Sequence, residues 1–261
     1  MKTLFIGDLH LKARLILPLV AQVIAEHQIE RLVFMGDYCD LHGQTENTKL
    51  YAQELLYLQK WQQGQLDAGV EIINLLGNHD IFYLLGVPAE FSVTDRGAFF
   101  AVQNFLENFQ LQVAYQLDDY LISHAGFNIL FDLAPWHLVS LNQASITEHE
   151  KELEIFARAV GPMRGGGDMA GSPVWADFRE LELIPNAEIP KQIVGHTPQE
   201  VIKFTEHVIG VDTFSVYLDM DSLTYQFIGN GDLLCYEDGR FTVIPTNWQS
   251  EATRTALSKL Y

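Results

Sequence analysis

TLFIGDLH, residues 3–10, opens the chain with a short apolar run, a glycine that lets the backbone turn, and then a carboxylate and an imidazole two positions apart. The pattern returns along the chain. Gly36-Asp37-Tyr38-Cys39-Asp40 follows the apolar residues 32–35, Gly77-Asn78-His79-Asp80 follows 72–76, and His124-Ala125-Gly126 follows 120–123. Gly195-His196-Thr197 is a later member of the series. Side chains placed where rigid strands end are held more accurately than those on free loops, and metal sites are usually assembled in this way. Turn formation accounts for Gly, Asp and Asn, but it does not call for His10, His79, His124 and His196.

The ligand types point to a chemistry. Asp8, Asp37, Asn78, His10, His124 and His196 offer oxygen and imidazole nitrogen without a thiolate, which suits Mn, Fe, Zn, Co or Ni. Three imidazoles disfavour an all-oxygen Ca or Mg cage. Six ligands are too many for one metal that keeps an open position. They suit a pair that shares a carboxylate, roughly 3.5 to 4 Å apart. Two divalent metal ions are therefore expected, Mn first, with Fe, Zn, Ni or Co as alternatives. Such a pair brings a bridging water toward ionisation at neutral pH and grips two oxygens of a phosphorus centre during in-line attack. Phosphate ester hydrolysis by a metal-bridging hydroxide is the natural use. His79, adjoining Asn78, is expected outside the ligand set, where it would give a proton to the leaving oxygen with Asp40 orienting it.

The order GDLH, GDYCD, GNHD, HAG and GHT resembles the calcineurin-like metallophosphoesterase superfamily. Within it, the chain looks like the serine/threonine phosphoprotein-phosphatase branch and its bacterial relatives. The resemblance runs from residue 3 to about residue 213, with Trp175-Ala176-Asp177 and Val211-Asp212-Thr213 as weaker echoes. It implies that Asp8 and His10 hold the first metal, that Asp37 bridges, and that Asn78, His124 and His196 hold the second. It also implies His79 as general acid or phosphate contact and Asp40 as its partner.

The chain departs from the pattern at defined places. Pro198 stands where some branches carry a further histidine, the fourth cluster reads His-Ala-Gly rather than His-Gly-Gly, and Asp80 replaces a glutamate. Leu41 and His42 follow Asp40 where phosphoprotein phosphatases have Arg-Gly, so that branch's phosphate-binding arginine is missing from its usual position. A guanidinium fork matches phosphate oxygens best, and Arg164 is the preferred substitute. It precedes Gly165-Gly166-Gly167-Asp168 in a stretch running to Pro173, too glycine-rich for regular structure and long enough to fold over a site as a lid. Arg14 and His42 are weaker alternatives.

Strands at 3–6, 32–35 and 72–76, with helical patterns at 15–25 and 50–61 between them, have the spacing of parallel βαβ units. Residues 112–116 and 120–123 flank a hairpin turn that leads into His124. An amphipathic helix is expected at 145–160, ahead of the glycines. Beyond residue 193, β-rich runs at 201–204, 208–211, 216–218, 223–228, 233–236 and 241–244 read as an antiparallel second sheet. A helix at 248–260 ends the chain. The expected fold is an α/β four-layer α/β/β/α sandwich of two mixed sheets flanked by helices. It would form one domain over residues 1–261, with a cap near 127–190. Trp136 and Trp175 flank that cap as candidates for an aromatic wall, whereas His27, His137, His149 and His207 are assigned to the surface or to satisfied core positions.

At 261 residues and 48% hydrophobic, the chain can bury a large core. The 34 acidic residues against 16 Lys and Arg give a formal charge of −18, which repels long polyanions and argues against a nucleic acid polymer as partner. No apolar run approaches the roughly 18 residues of a membrane span. The first motif begins at residue 7, leaving no room for an export leader. Cys39 and Cys235 are far apart and expected as free thiols, so the expected location is cytoplasmic. A small phosphoester or phosphopeptide is the expected substrate. A phosphodiesterase or (di)nucleoside polyphosphate hydrolase on the same metals is the alternative. A scaffold without chemistry fits poorly, because every expected ligand and His79 are present.

Overall fold

The computed structural model describes residues 1–260. Strands β1 (Thr3–Ile6), β2 (Arg31–Phe34) and β3 (Glu71–Leu75) run parallel, with Thr3 opposite Arg31 and Arg31 opposite Glu71. Helices α1 (Ala13–His27) and α2 (Thr48–Asp67) make the crossovers between them, and β4 (Leu111–Gln112) extends the sheet in parallel.

The second sheet begins with the hairpin of β5 (Ala114–Leu117) and β6 (Tyr120–Ser123), which turns at Asp118 and Asp119. β7 (Gln192–Val194) and β9 (Val208–Gly210) continue it in parallel, and β8 (Lys203–Phe204) closes the edge. The expectation of an antiparallel sheet from residue 193 onward is therefore corrected. The last hairpin, β12 (Leu233–Glu237) and β13 (Arg240–Ile244), returns to the first sheet, where β12 lies antiparallel to β1 with Leu4 opposite Cys235. β10 (Val216–Asp219) and β11 (Thr224–Phe227) pair only with each other. Both large sheets are mixed, as expected.

Alternation along the strands builds the layers, since successive side chains point to opposite faces. Leu4, Ile6, Leu32 and Phe34 join Ile16, Leu17, Val20 and Leu55 of α1 and α2. Phe5, Val33 and Leu75 face the other way and meet Ile122, Ile193 and Ile209 of the second sheet. On that sheet's outer face, Val194 and Val208 pack on Phe178 and Leu181 of a short helix (Phe178–Leu183). The order is helix, sheet, sheet, helix. Each such side chain, fully buried, contributes roughly 1.5–3 kcal/mol.

Some helices differ from the sequence reading. A helix at Asn78–Leu84 starts within the third motif itself and is short; another, Arg96–Glu107, is absent from the sequence reading although Phe99, Val102 and Leu106 recur at helical spacing and bury one face. The single helix expected at 145–160 is two, Gln143–Glu148 and Glu150–Arg158, broken at His149. The Asn142 side chain caps the first, accepting from the N–H groups of Ala144 and Ser145. Trp136 does not reach the site. It stacks on His149 at 4.1 Å and packs inside the 127–190 segment. The final helix is shorter than expected, Glu251–Leu257, capped by Ser250.

Candidate metal centre

Every motif lies where a strand ends. β1 leads into Asp8, β2 into Asp37, β3 into Asn78, β6 into His124 and β7 into His196, so the carboxyl ends of parallel strands from both sheets open on one cleft. This is the general location for sites in open α/β sheets. The cleft holds about 650 Å³. His10, Asp37, Asp40, Asn78, His79 and His196 line it, together with Lys12, Phe91, Arg164, Trp175 and Asp212.

The backbone is strained at these turns. His10, Asp37, Asp40 and His196 all take positive φ, 41°, 53°, 59° and 57°, which costs non-glycine residues and collects at functional sites. Two glycines admit the carboxylates. A Cβ on Gly77 would meet Asp37 Oδ1, and one on Gly195 would lie 2.7 Å from Asp8 Oδ1.

The imidazoles are presented with their lone pairs inward. His10 Nδ1–H donates to the carbonyls of Asp40 (2.9 Å) and Cys39 (3.2 Å), leaving Nε2 toward Asp37 Oδ2 at 3.5 Å and Asp8 Oδ2 at 3.9 Å. His124 Nδ1–H donates to Met35 O at 2.7 Å. Its Nε2 therefore faces Asn78 Oδ1 at 3.0 Å, His196 Nδ1 at 3.2 Å and Asp37 Oδ2 at 3.5 Å. Backbone carbonyls that fix the tautomer in this way are the usual support of metal-binding histidines. Burial lowers the pKa of all three, His10 to about 3, so they offer neutral nitrogen.

The donor set fits divalent cations. Asp37 belongs to two groups of donor atoms that lie within 4.8 Å of one another, one with His10 and His79, the other with His124 and His196. Asp8 Oδ2 and His196 Nε2 are buried without a hydrogen-bond partner among the described residues. Burial, then the charges of Asp212 and Asp37, push the Asp8 carboxyl well above its usual range, a crowding that a cation relieves.

His79 is placed differently from the other histidines. Its N–H donates to Asp37 Oδ1 at 2.9 Å, and its Nδ1–H donates to Asp40 Oδ2 at 3.1 Å. Tyr51 and Tyr83 hydroxyls hold the other Asp40 oxygen, each at 2.6 Å. Burial lowers the His79 pKa, but the Asp37 charge and the hydrogen bond and charge of Asp40 outweigh it, and the net direction is up. Nothing in the sequence marked the two tyrosines, which come from separate helices. Asp80 was read only as a mild departure, yet it staples two motifs together. Its carboxylate accepts from the N–H groups of Asp37 (2.8 Å), Gly77 (3.0 Å) and Tyr38 (3.1 Å).

Arg164 lines the cleft, with Nη2 donating to the His196 carbonyl at 3.2 Å. As expected, residues 165–173 form no helix or strand, and within that stretch Gly166 packs tightly while Gly165 and Gly167 stand open. Pro162–Arg164 form a 3-10 turn, a Cβ on Gly166 would overlap Val160 O, and one on Gly161 would overlap the Glu180 carboxylate. Glu180, only 4% exposed, accepts from Gly171 N–H at 2.8 Å. Trp175 sits 5.7 Å from the His196 ring and 6.4 Å from Phe91, which in turn packs 4.0 Å from His79. His42 also lines the cleft. Arg14 does not. It lies in a separate hollow of about 860 Å³ between α1, α2 and the final helix, paired with Glu54.

Two mixed sheets face to face, with an oxygen and imidazole cluster at their strand ends, define the metallophosphoesterase class. The chain belongs to the calcineurin-like phosphoesterase family, whose model matches residues 1–200, and is accordingly a phosphoric ester hydrolase. Among solved structures, it is similar to a cold-active protein-tyrosine phosphatase of a psychrophilic Shewanella species, at 18% identity and TM-score 0.56, over 93% of this chain and 80% of that one. A second structure described as a cold-active protein tyrosine phosphatase matches at 18% identity and TM-score 0.56, over 96% and 80%. At these identities the likeness concerns the fold. A putative diadenosine tetraphosphatase lies further away, at 13% identity and TM-score 0.44, over 94% of this chain and 93% of that one. No curated protein sequence matches the chain.

Proposed function

We propose that the chain is a binuclear, metal-dependent phosphatase that hydrolyses phosphate monoesters. The observation that carries this reading is the position of Asp37 between two converging donor groups. In this reading Asp8, His10 and Asp37 hold one divalent cation and Asp37, Asn78, His124 and His196 the other, Mn being the first choice. When bound, the cations supply an activated water and neutralise charge on the phosphoryl oxygens.

The chain's own residues do the rest. His79, 20% exposed at the cleft and with its pKa raised by Asp37 and Asp40, donates its proton to the leaving oxygen. Asp40 fixes the ring, and Tyr51 and Tyr83 fix Asp40. Arg164 contacts the phosphoryl group, delivered by the 127–190 segment acting as a cap on a single domain. Phe91 and Trp175 flank the leaving-group side, which suits an aryl phosphate, a small base-bearing phosphoester or a phosphopeptide.

Among the described residues, no helix is long and apolar enough to cross a membrane. Both cysteines are buried and unpaired, which supports a cytoplasmic location. Assaying phenyl phosphate, its bis-ester and a dinucleoside polyphosphate, each with Mn, Ni, Co, Zn and Mg, tests the reading. Monoester turnover should dominate. A preference for the bis-ester or the polyphosphate would replace it with the corresponding alternative.

A further inference from the structure

Lys12 is the one fully buried lysine beside the cleft, 1% exposed, and it has no counterpart in the motifs that the sequence reading singled out. It follows a turn in which His10 and Leu11 both take positive φ, 41° and 54°. The turn sets it among Asp8, Asp37, Asp212 and Glu54, whose charges it feels. Yet among the described residues no carboxylate oxygen lies within 4.0 Å of its ammonium and no hydrogen bond engages it. Glu54 is taken by Arg14, and one Asp212 oxygen is taken by the Ser215 hydroxyl.

The Lys12 stem is buried, while its ammonium, with three donors to place, opens on the cleft. Among the described residues, Lys12 and Arg164 are the only Lys or Arg side chains that line the cleft, in a chain of formal charge −18. They come from different parts of the fold, Lys12 from the start of α1 beside Asp212 and Arg164 from the cap beside His196. An anion entering the cleft would meet a cation from each.

We propose that Lys12 is a phosphate-binding residue whose ammonium donates to a phosphoryl oxygen of the substrate, on the Asp212 side of the cleft. The inference rests on the cleft being a phosphoester site, and it names what selects the substrate there. A terminal phosphoryl group has three free oxygens and up to two negative charges. It can use Lys12, Arg164 and the cations together, whereas a diester has fewer oxygens and less charge to share. Lys12 thus favours monoesters over diesters.

Binding of orthophosphate to metal-loaded wild type, Lys12→Met and Lys12→Arg, followed by calorimetry alongside metal stoichiometry, tests the proposal without turnover. Lys12→Met should weaken orthophosphate binding on the order of 10- to 100-fold with metal content retained, and Lys12→Arg should recover part of it. In turnover, the Lys12→Met loss should be larger for phenyl phosphate than for its bis-ester. Unchanged orthophosphate binding, or a loss of metal in place of a loss of phosphate, would assign Lys12 to charge balance and overturn the proposal. If Lys12→Met does not fold, a crystal structure of metal-loaded wild type with orthophosphate decides. An ammonium within about 3.2 Å of a phosphate oxygen supports the proposal, and one turned to Asp212 or Glu54 away from the anion refutes it. Wild type that binds orthophosphate through Lys12 but hydrolyses no monoester would sink the phosphatase reading alone.

Discussion

Oδ2 of Asp40 lies 3.1 Å from Nδ1 of His79, while the hydroxyls of Tyr51 and Tyr83 hold Oδ1, Tyr83 from the helix that carries His79 and Tyr51 from α2. The carboxylate is buried, so its charge acts on the imidazole with little screening. Together with Asp37 it raises the His79 pKa against the effect of burial. The protonated ring then persists to higher pH than that of an ordinary histidine.

Replacing Asp40 by Asn removes that charge, so the His79 pKa falls and the proton donor is lost at lower pH. The basic limb of the kcat/KM profile for an alkyl phosphate should move toward acid, and kcat should fall. His79→Gln should lower kcat by about 10²- to 10⁴-fold on alkyl phosphates and much less on nitrophenyl phosphate, whose leaving group needs no proton. Metal content should stay unchanged in both. A profile that does not move in Asp40→Asn would separate the carboxylate from the chemistry.

Arg164→Ala should lower kcat/KM on monoesters about 10- to 100-fold, the effect of one charge-assisted hydrogen bond, without loss of metal. Arg164→Lys should recover only part, because an ammonium cannot reproduce the planar fork. Steady-state kinetics at saturating metal would check this, and wild-type kinetics in Arg164→Ala would remove the residue from the site.

The glycine stretch offers a paired test. A Cβ on Gly166 would overlap Val160 O, whereas one on Gly167 meets nothing within 4 Å. Gly166→Ala should destabilise by about 1–3 kcal/mol and weaken turnover as Arg164 shifts, whereas Gly167→Ala should do neither. Thermal unfolding and activity of the two proteins would show whether this segment is a packed platform; equal behaviour would make it the loose linker that its composition suggests.

The site was legible because its parts are local. Short apolar runs ending in Gly-Asp or Gly-Asn predict strand ends, and Asp8, His10, Asp37, Asn78, His79, His124 and His196 all arrive at one cleft from those ends. What depends on partners far along the chain was not legible. Leu233–Glu237 reads as a strand from its own residues, but its pairing with Thr3–Ile6 is settled across more than two hundred residues and nothing local announces it. Lys12 looks like any surface lysine until the fold buries it, and Tyr51, Tyr83 and Glu180 act through contacts that no spacing reveals. That Val160 O lies against Gly166, while Gly165 and Gly167 stand clear, is likewise a contact that composition cannot show.

Metal content, measured by mass spectrometry on protein dialysed against manganese, tests the central claim most directly when wild type is compared with Asp37→Ala. Wild type should hold about two ions per chain, and loss of the shared carboxylate should leave less than one and abolish phosphatase activity. Wild type that binds no manganese or other divalent ion, or an Asp37→Ala protein that keeps two, would contradict the account.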